Sequence, residues 1–291
     1  FLSFPVFFRD YPLPRAIGLS LFHSVASFNN SGFDVLGNGT SLIPYQKDVL
    51  LNLVTCALVI AGGIGFPVIF ELPQKHFSWE RLSMHTRVVL STTFALLLFG
   101  TLLLKLTENI SWLGAFFYSV SARTAGFSTY NLGDFSTAGL LVVSGLMFIG
   151  ASPASTGGGI KTTTFFVLLS GIYSAATNHS ERAFHSAIPK DAFRKASVIS
   201  MLAVFLVMTA SYLMLIFDPQ LSLRDVLFEM ISAFSTSGLS TGITPQLSAP
   251  SRILSILMMY IGRLGPLTVA SLWYFTIGER VRYPEGTIAI G

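Results

Sequence analysis

Residues 121–129, SARTAGFST, lie between two apolar segments and place Arg123, Thr124 and Gly126 where hydrocarbon would normally exclude them. The stretch has two companions, SFNNSGFDV at 27–35 and AFSTSGLST at 233–241. Aligning Gly32, Gly126 and Gly238 puts a small residue just before each glycine and an aromatic residue or leucine just after it. Internal repetition at long period is the strongest organising signal in the chain.

Working outward, each copy follows an apolar segment of about 12 or 13 residues (17–28, 111–122 and 222–234), which as a helix rises only about 18–20 Å and stops partway across a bilayer. Longer apolar segments at 48–70, 86–106, 194–217 and 250–278 are each long enough to cross. A fifth, 136–176, is about twice the length of one crossing and is interrupted by GASPASTGGGIKTTT at 150–164. Irregular backbone at membrane depth is tolerated only where it is buried in protein or lines an aqueous cavity, so three half-crossing hairpins predict a pore. Half-helices aim the negative ends of their dipoles at the membrane centre, which favours a cation there. A glycine at the turn takes φ > 0 without a Cβ clash, so successive carbonyls can face one axis and replace an ion's hydration shell.

Composition agrees. Of 291 residues 52% are hydrophobic and 11% charged, with 26 Phe, against roughly 25% charged in soluble domains. The expected fold class is an all-α integral membrane protein of repeated helix, pore loop and helix units around a central ion pore. The net charge of +4 is dispersed, and Arg123, Lys161 and Arg263 fall inside apolar stretches, so nucleic acid is not an expected partner; the lipid bilayer is. The single Cys56 rules out an intrachain disulfide framework, and the five His form no HxxxH or HExxH pair. TGGGIKTTT fails as a phosphate loop because Ile160 separates Gly159 from Lys161. No paired-carboxylate, Ser/His or metal arrangement in the spans predicts an enzyme, and no covalent cofactor is expected. The loops 71–85 and 177–195, Arg87 and the C-terminal tail hold more Lys and Arg than the opposite side, which predicts a cytoplasmic C-terminus and half-helices entering from outside.

The motifs FHSVASFNNSGFD (22–34), YSVSARTAGFST (118–129), SAFSTSGLST (232–241), GGIGFPVIFEL (62–72), GASPASTGGGIKTTT, GRLGPLT (262–268) and YPEGTIAIG (283–291) resemble the Trk/Ktr/HKT superfamily of potassium transporters, most of all the bacterial Ktr membrane subunit. The resemblance covers essentially the whole chain. It implies four pore units in one chain, of which residues 1–75 are the second, incomplete at its N-terminus, 76–180 the third with a broken inner helix, and 181–291 the fourth with a C-terminal tail that looks complete. The absent initiator Met and the eight apolar residues FLSFPVFF, too short to span, fit a chain that begins partway through a unit.

The resemblance further implies potassium translocation across the plasma membrane, with a non-conducting fragment or a sodium/potassium-permeable member as alternatives. Potassium, or sodium, would be held by backbone carbonyls of Asn30, Ser31, Gly32, Thr124, Ala125, Gly126, Thr236, Ser237 and Gly238. An intramembrane gate would comprise Ser155, Thr156, Gly157, Gly158, Gly159 and Lys161, with Arg263 facing it. Lys161 reads either as an electrostatic barrier or as a lysine snorkelling from the loop edge. GGIGFP reads as close helix packing with a proline kink. Arg123 is expected to oppose its half-helix dipole and brace the loop by pairing with Asp34 or Glu229. The implied partners are a second copy in a homodimer and a cytoplasmic nucleotide-binding regulatory subunit.

Overall fold

The computed structural model describes residues 1–37, 39–178, 182–184, 186–189, 191–265 and 268. Its helices, in chain order, are α1 Phe4–Asp10, α2 Leu13–Phe28, α3 Val49–Gly63, α4 Phe66–Gln74, α5 Met84–Thr107, α6 Trp112–Ser121, α7 Thr137–Phe148, α8 Thr162–Thr177, α9 Ala192–Phe217, α10 Leu223–Ser235 and α11 Ala249–Leu264. A two-residue hairpin, β1 Arg182–Ala183 against β2 Ser186–Ala187, lies between α8 and α9 and is an addition to the all-α expectation.

Among the described residues, α5 and α9, with 24 and 26 residues and mean hydropathies of 2.0 and 2.3, are the unbroken helices long and apolar enough to cross a bilayer. Each leads into a short helix, α6 or α10, whose start is set by a serine cap: Ser111 accepts from Gly114 N and Ser222 from Asp225 N. The short helices run inward and end in the repeated glycine turns. They are the most enclosed elements: Phe117 and Tyr118 of α6 and Phe228, Met230 and Phe234 of α10 are fully buried, whereas α9 turns Phe205, Met208 and Tyr212 outward. That inversion is what a lipid solvent permits.

One expectation needs correction, and another lies partly outside the described residues. The segment 48–70 is not one kinked span but two helices, α3 and α4, meeting at 97°. Proline alone does not cause the break: Gly65 sits at φ +90°, ψ 146°, outside helical space, and Pro67 lies in the first turn of α4, where its missing N–H is harmless. The last span, predicted over 250–278, is helical as far as Leu264 and is followed by Gly265 at φ +92°; its remainder, like YPEGTIAIG, lies outside the described residues apart from Thr268. By contrast the interrupted segment 136–176 divides as its composition predicts, into α7 and α8 with non-helical backbone over 149–161.

Candidate functional site: three glycine turns over a broken helix

The three turns share one backbone pattern. Asn30, Thr124 and Thr236 take φ of +51°, +76° and +53°, and two residues later Gly32, Gly126 and Gly238 take +59°, +83° and +81°. In the first and third turns the helix ends in matching fashion, Asn30 N donating to Ser27 O and Ser31 N to Ala26 O, Thr236 N to Ala233 O and Ser237 N to Ser232 O. This pair of bonds satisfies carbonyls that a helix end leaves unpaired. Left-handed residues bearing a Cβ are strained by about 1–3 kcal/mol each, a cost that persists only where the surroundings over-determine it.

The turns stack on one another in a fixed direction. A Cβ added at Gly32 would strike the Ala125 carbonyl oxygen, and one at Gly126 would strike the Ser237 carbonyl oxygen. At Gly238, third in the series, nothing among the described residues lies within 4 Å. All three glycines line an open cavity of about 370 Å³, which Asp34, Ser128 and Asn131 also border.

Two inner helices approach the turns in the same way. Gly62 of α3 packs on the Phe28 carbonyl and Gly262 of α11 on the Phe234 carbonyl, each so closely that a Cβ could not be accommodated. The close-packing reading of GGIGFP therefore applies equally to GRLGPLT. Three residues later comes a second glycine with positive φ at a helix boundary, Gly65 as the N-cap of α4 and Gly265 as the C-cap of α11.

The 149–161 segment lies against the turns. Gly157 is in contact with the Thr124 side chain, and a Cβ on Gly158 would come within 2.6 Å of Thr236 Oγ1 and 2.8 Å of Ser235 O. Thr156 Oγ1 donates to Gly62 O at 3.2 Å and reaches Phe28 O at 3.5 Å. Ser155 Oγ donates to Ser152 O at 2.6 Å and accepts from Gly157 N at 3.4 Å. Two cationic side chains hold the segment: Arg263 Nη1 donates to Thr156 O, and Lys161 Nζ donates to Gly157 O at 2.7 Å. Lys161 precedes the N-terminus of α8, where a positive charge opposes the dipole, so folding back onto a carbonyl relieves the conflict.

Arg123 does not pair with either carboxylate named from the sequence. It is 7% exposed, and its Nε and Nη2 both donate to Gly150 O at 3.3 Å. Gly150, at φ +45°, opens the non-helical segment just beyond α7, whose last carbonyls lack helical partners. The acids have other donors: Asp34 Oδ1 accepts from Leu36 N and Gly37 N at 3.1 Å each, and Glu229 Oε1 accepts from Thr244 Oγ1. Sequence reasoning missed Gly150; its only mark was its place at the head of the polar interruption.

Apolar helices long enough to cross a bilayer, each followed by a short buried helix that ends in a strained glycine turn, with a broken helix packed against the turns, define a helical membrane protein built from repeated units. Its family follows directly: the chain belongs to the TrkH cation transport protein family, whose model matches residues 14–97 and 82–275. It is 37% identical over 290 residues to Ktr system potassium uptake protein B of Vibrio alginolyticus, covering 94% of this chain and 62% of that protein. With Ktr system potassium uptake protein D of Bacillus subtilis the identity is 35% over 289 residues, covering 93% and 63%. The potassium/sodium uptake protein NtpJ of Enterococcus hirae is 34% identical over 98% of this chain and 67% of its own length. The chain thus spans rather less than two-thirds of the Vibrio and Bacillus proteins. Among solved structures, the potassium transporter TrkH from Vibrio parahaemolyticus superposes with a TM-score of 0.71 at 17% identity, over 87% of this chain and 57% of that one, and so shares its fold.

Proposed function

We propose that this chain supplies three of the four units of a cation pore that moves potassium across the plasma membrane. Residues 1–75, 76–180 and 181–291 are the second, third and fourth units, and a fourth turn from sequence outside these residues closes the ring. The observation that carries this reading is the directional stacking of Gly32 on Ala125 and Gly126 on Ser237, whereas a Cβ at Gly238 would meet no described residue within 4 Å. Carbonyls of residues 30–32, 124–126 and 236–238 form the filter, favoured for cations by the negative ends of α2, α6 and α10. Ser155–Thr156–Gly157–Gly158–Gly159, held by Lys161 and Arg263, is the gate, because it occupies the space directly against the filter turns. Arg123 braces the middle turn, Thr124–Gly126, through Gly150. Potassium is the cargo, and sodium is the competing ion to be measured beside it, since one relative is named for both.

The bias of Lys and Arg toward the loops at 71–85 and 177–195 supports a cytoplasmic C-terminus. The Ktr relatives are named as members of a system, which supports assembly with a further component; that this component is a cytoplasmic nucleotide-binding regulatory subunit, and that the chain pairs with a second copy, are part of the proposal. Three turns do not enclose an ion, so residues 1–291 alone are expected not to conduct. The test is potassium uptake by full-length Gly238→Ala. Gly238 has room for a Cβ, so the substitution strains φ by about 1–2 kcal/mol without a clash. Uptake should fall while the protein still reaches the membrane; normal uptake by both Gly238→Ala and Gly126→Ala would overturn the filter assignment.

A further inference from the structure

The notch between α3 and α4 is filled by the gate segment. At the end of α3, Gly63 O accepts from Ser152 N at 3.0 Å, and Gly62 O accepts from Thr156 N at 3.3 Å. At the start of α4, Phe66 N donates to Ala154 O at 3.0 Å. These are backbone groups that a helix cannot satisfy internally at its ends, so the 152–156 backbone acts as the cap of both helices. Ala154 is held at φ +54°, a strained value for a residue with a Cβ, and Gly65 lies against the Pro153 carbonyl with no space for a side chain.

The orientation of α4 therefore decides whether the Phe66 N–H meets Ala154. About one and a half turns further along, α4 is tied at its other end: Glu71 Oε1 accepts from Ser83 N at 2.6 Å, and Glu71 Oε2 accepts from Ser83 Oγ at 2.7 Å and from Thr86 Oγ1. Ser83 is the N-cap of α5, so the carboxylate also sits at the positive end of a 24-residue spanning helix.

We infer that Glu71 is a positioning residue for the gate: by clamping α4 to the N-terminus of α5, it presents the Phe66 N–H to Ala154 and holds the 152–156 backbone in its closed place. This rests on the reading of 155–159 as a gate. It extends that reading from the membrane interior to the loop at 71–85, where a force applied by a partner could reach the gate through one short helix. Releasing the clamp weakens one hydrogen bond on the closed segment and shifts the gate toward open.

The experiment is cation flux into proteoliposomes by the full-length protein in four forms: unaltered, with residues 156–159 deleted, Glu71→Ala, and both changes together. Glu71→Ala is expected to raise flux about two- to tenfold, the range corresponding to one net hydrogen bond, with the potassium-to-sodium ratio unchanged. In the deleted background it should add nothing. A purely structural role for Glu71 would instead change flux by the same factor in both backgrounds, and that result overturns the inference. A deletion that raises flux beside an inert Glu71→Ala also overturns it, while leaving the gate reading intact. A deletion that leaves flux unchanged overturns the gate and the inference together. Thr86→Val, which removes one donor to the same carboxylate, gives the same comparison if Glu71→Ala does not reach the membrane.

Discussion

Arg263 donates a guanidinium hydrogen bond to the Thr156 carbonyl, joining the last described helix to the middle of the broken one across 107 positions. The next carbonyl, Gly157 O, is taken by Lys161 Nζ at 2.7 Å. Two consecutive carbonyls that could have attracted a passing cation are thus each occupied by a fixed positive charge. Removing the guanidinium should both loosen the segment and lower the electrostatic barrier. Full-length Arg263→Ala is expected to raise potassium flux several-fold with filter selectivity unchanged, and Arg263→Lys should lie between it and the parent because an ammonium lacks the planar fork. Flux equal to the parent in both variants would contradict this role.

Arg123 offers a thermodynamic test of its corrected partner. A charged donor to a buried carbonyl contributes about 1.5–3 kcal/mol, so Arg123→Met should lower thermal stability by an amount of that order. Asp34→Asn and Glu229→Gln touch different donors, and each should combine additively with Arg123→Met to within about 0.5 kcal/mol. A coupling energy well above that with either acid would restore the ion pair that the sequence suggested.

The repeat explains why some of this geometry was legible. Each half-helix is a short apolar run ending in a small-residue glycine turn, and that pattern alone located α2, α6 and α10 and the turns at Gly32, Gly126 and Gly238. The interruption of 136–176 was equally plain, because Ser152, Pro153, Ser155, Thr156 and three consecutive glycines are unsuited to regular helix in hydrocarbon. The break at Gly65 was harder. Its neighbours are apolar and helix-compatible, and the 97° turn depends on caps supplied by Ser152, Ala154 and Thr156, nearly 90 positions away. The error at Arg123 had the same origin. A charge suggests an opposite charge, whereas the nearer acceptor is a carbonyl freed by a helix end, and no residue type advertises that.

Outside the membrane, Asp218 supplies a pH prediction. It follows α9, and its Oδ2 accepts from Ser248 N at 3.1 Å and Ser248 Oγ at 3.0 Å, tying the end of α9 to the start of α11. Hydrogen bonding from Ser251 and Ser248 outweighs burial and holds this carboxyl below its usual value. A depressed folded-state pKa gives stability that is present above the unfolded value of about 3.9 and is lost as pH falls through the folded value. Asp218→Asn should therefore lower the melting temperature at pH 7 and narrow the difference between pH 7 and pH 3. An acid dependence identical to the parent's would contradict the assignment.

Heavy-ion substitution makes the cation site proposed at the three turns visible. Full-length protein solved in thallium or rubidium, with anomalous scattering recorded, should show a peak on the axis encircled by the carbonyls of Asn30, Ser31, Thr124, Ala125, Thr236 and Ser237, above the segment held by Arg263. A well-ordered structure in which the heavy ion binds elsewhere and leaves that axis without a peak would contradict the account.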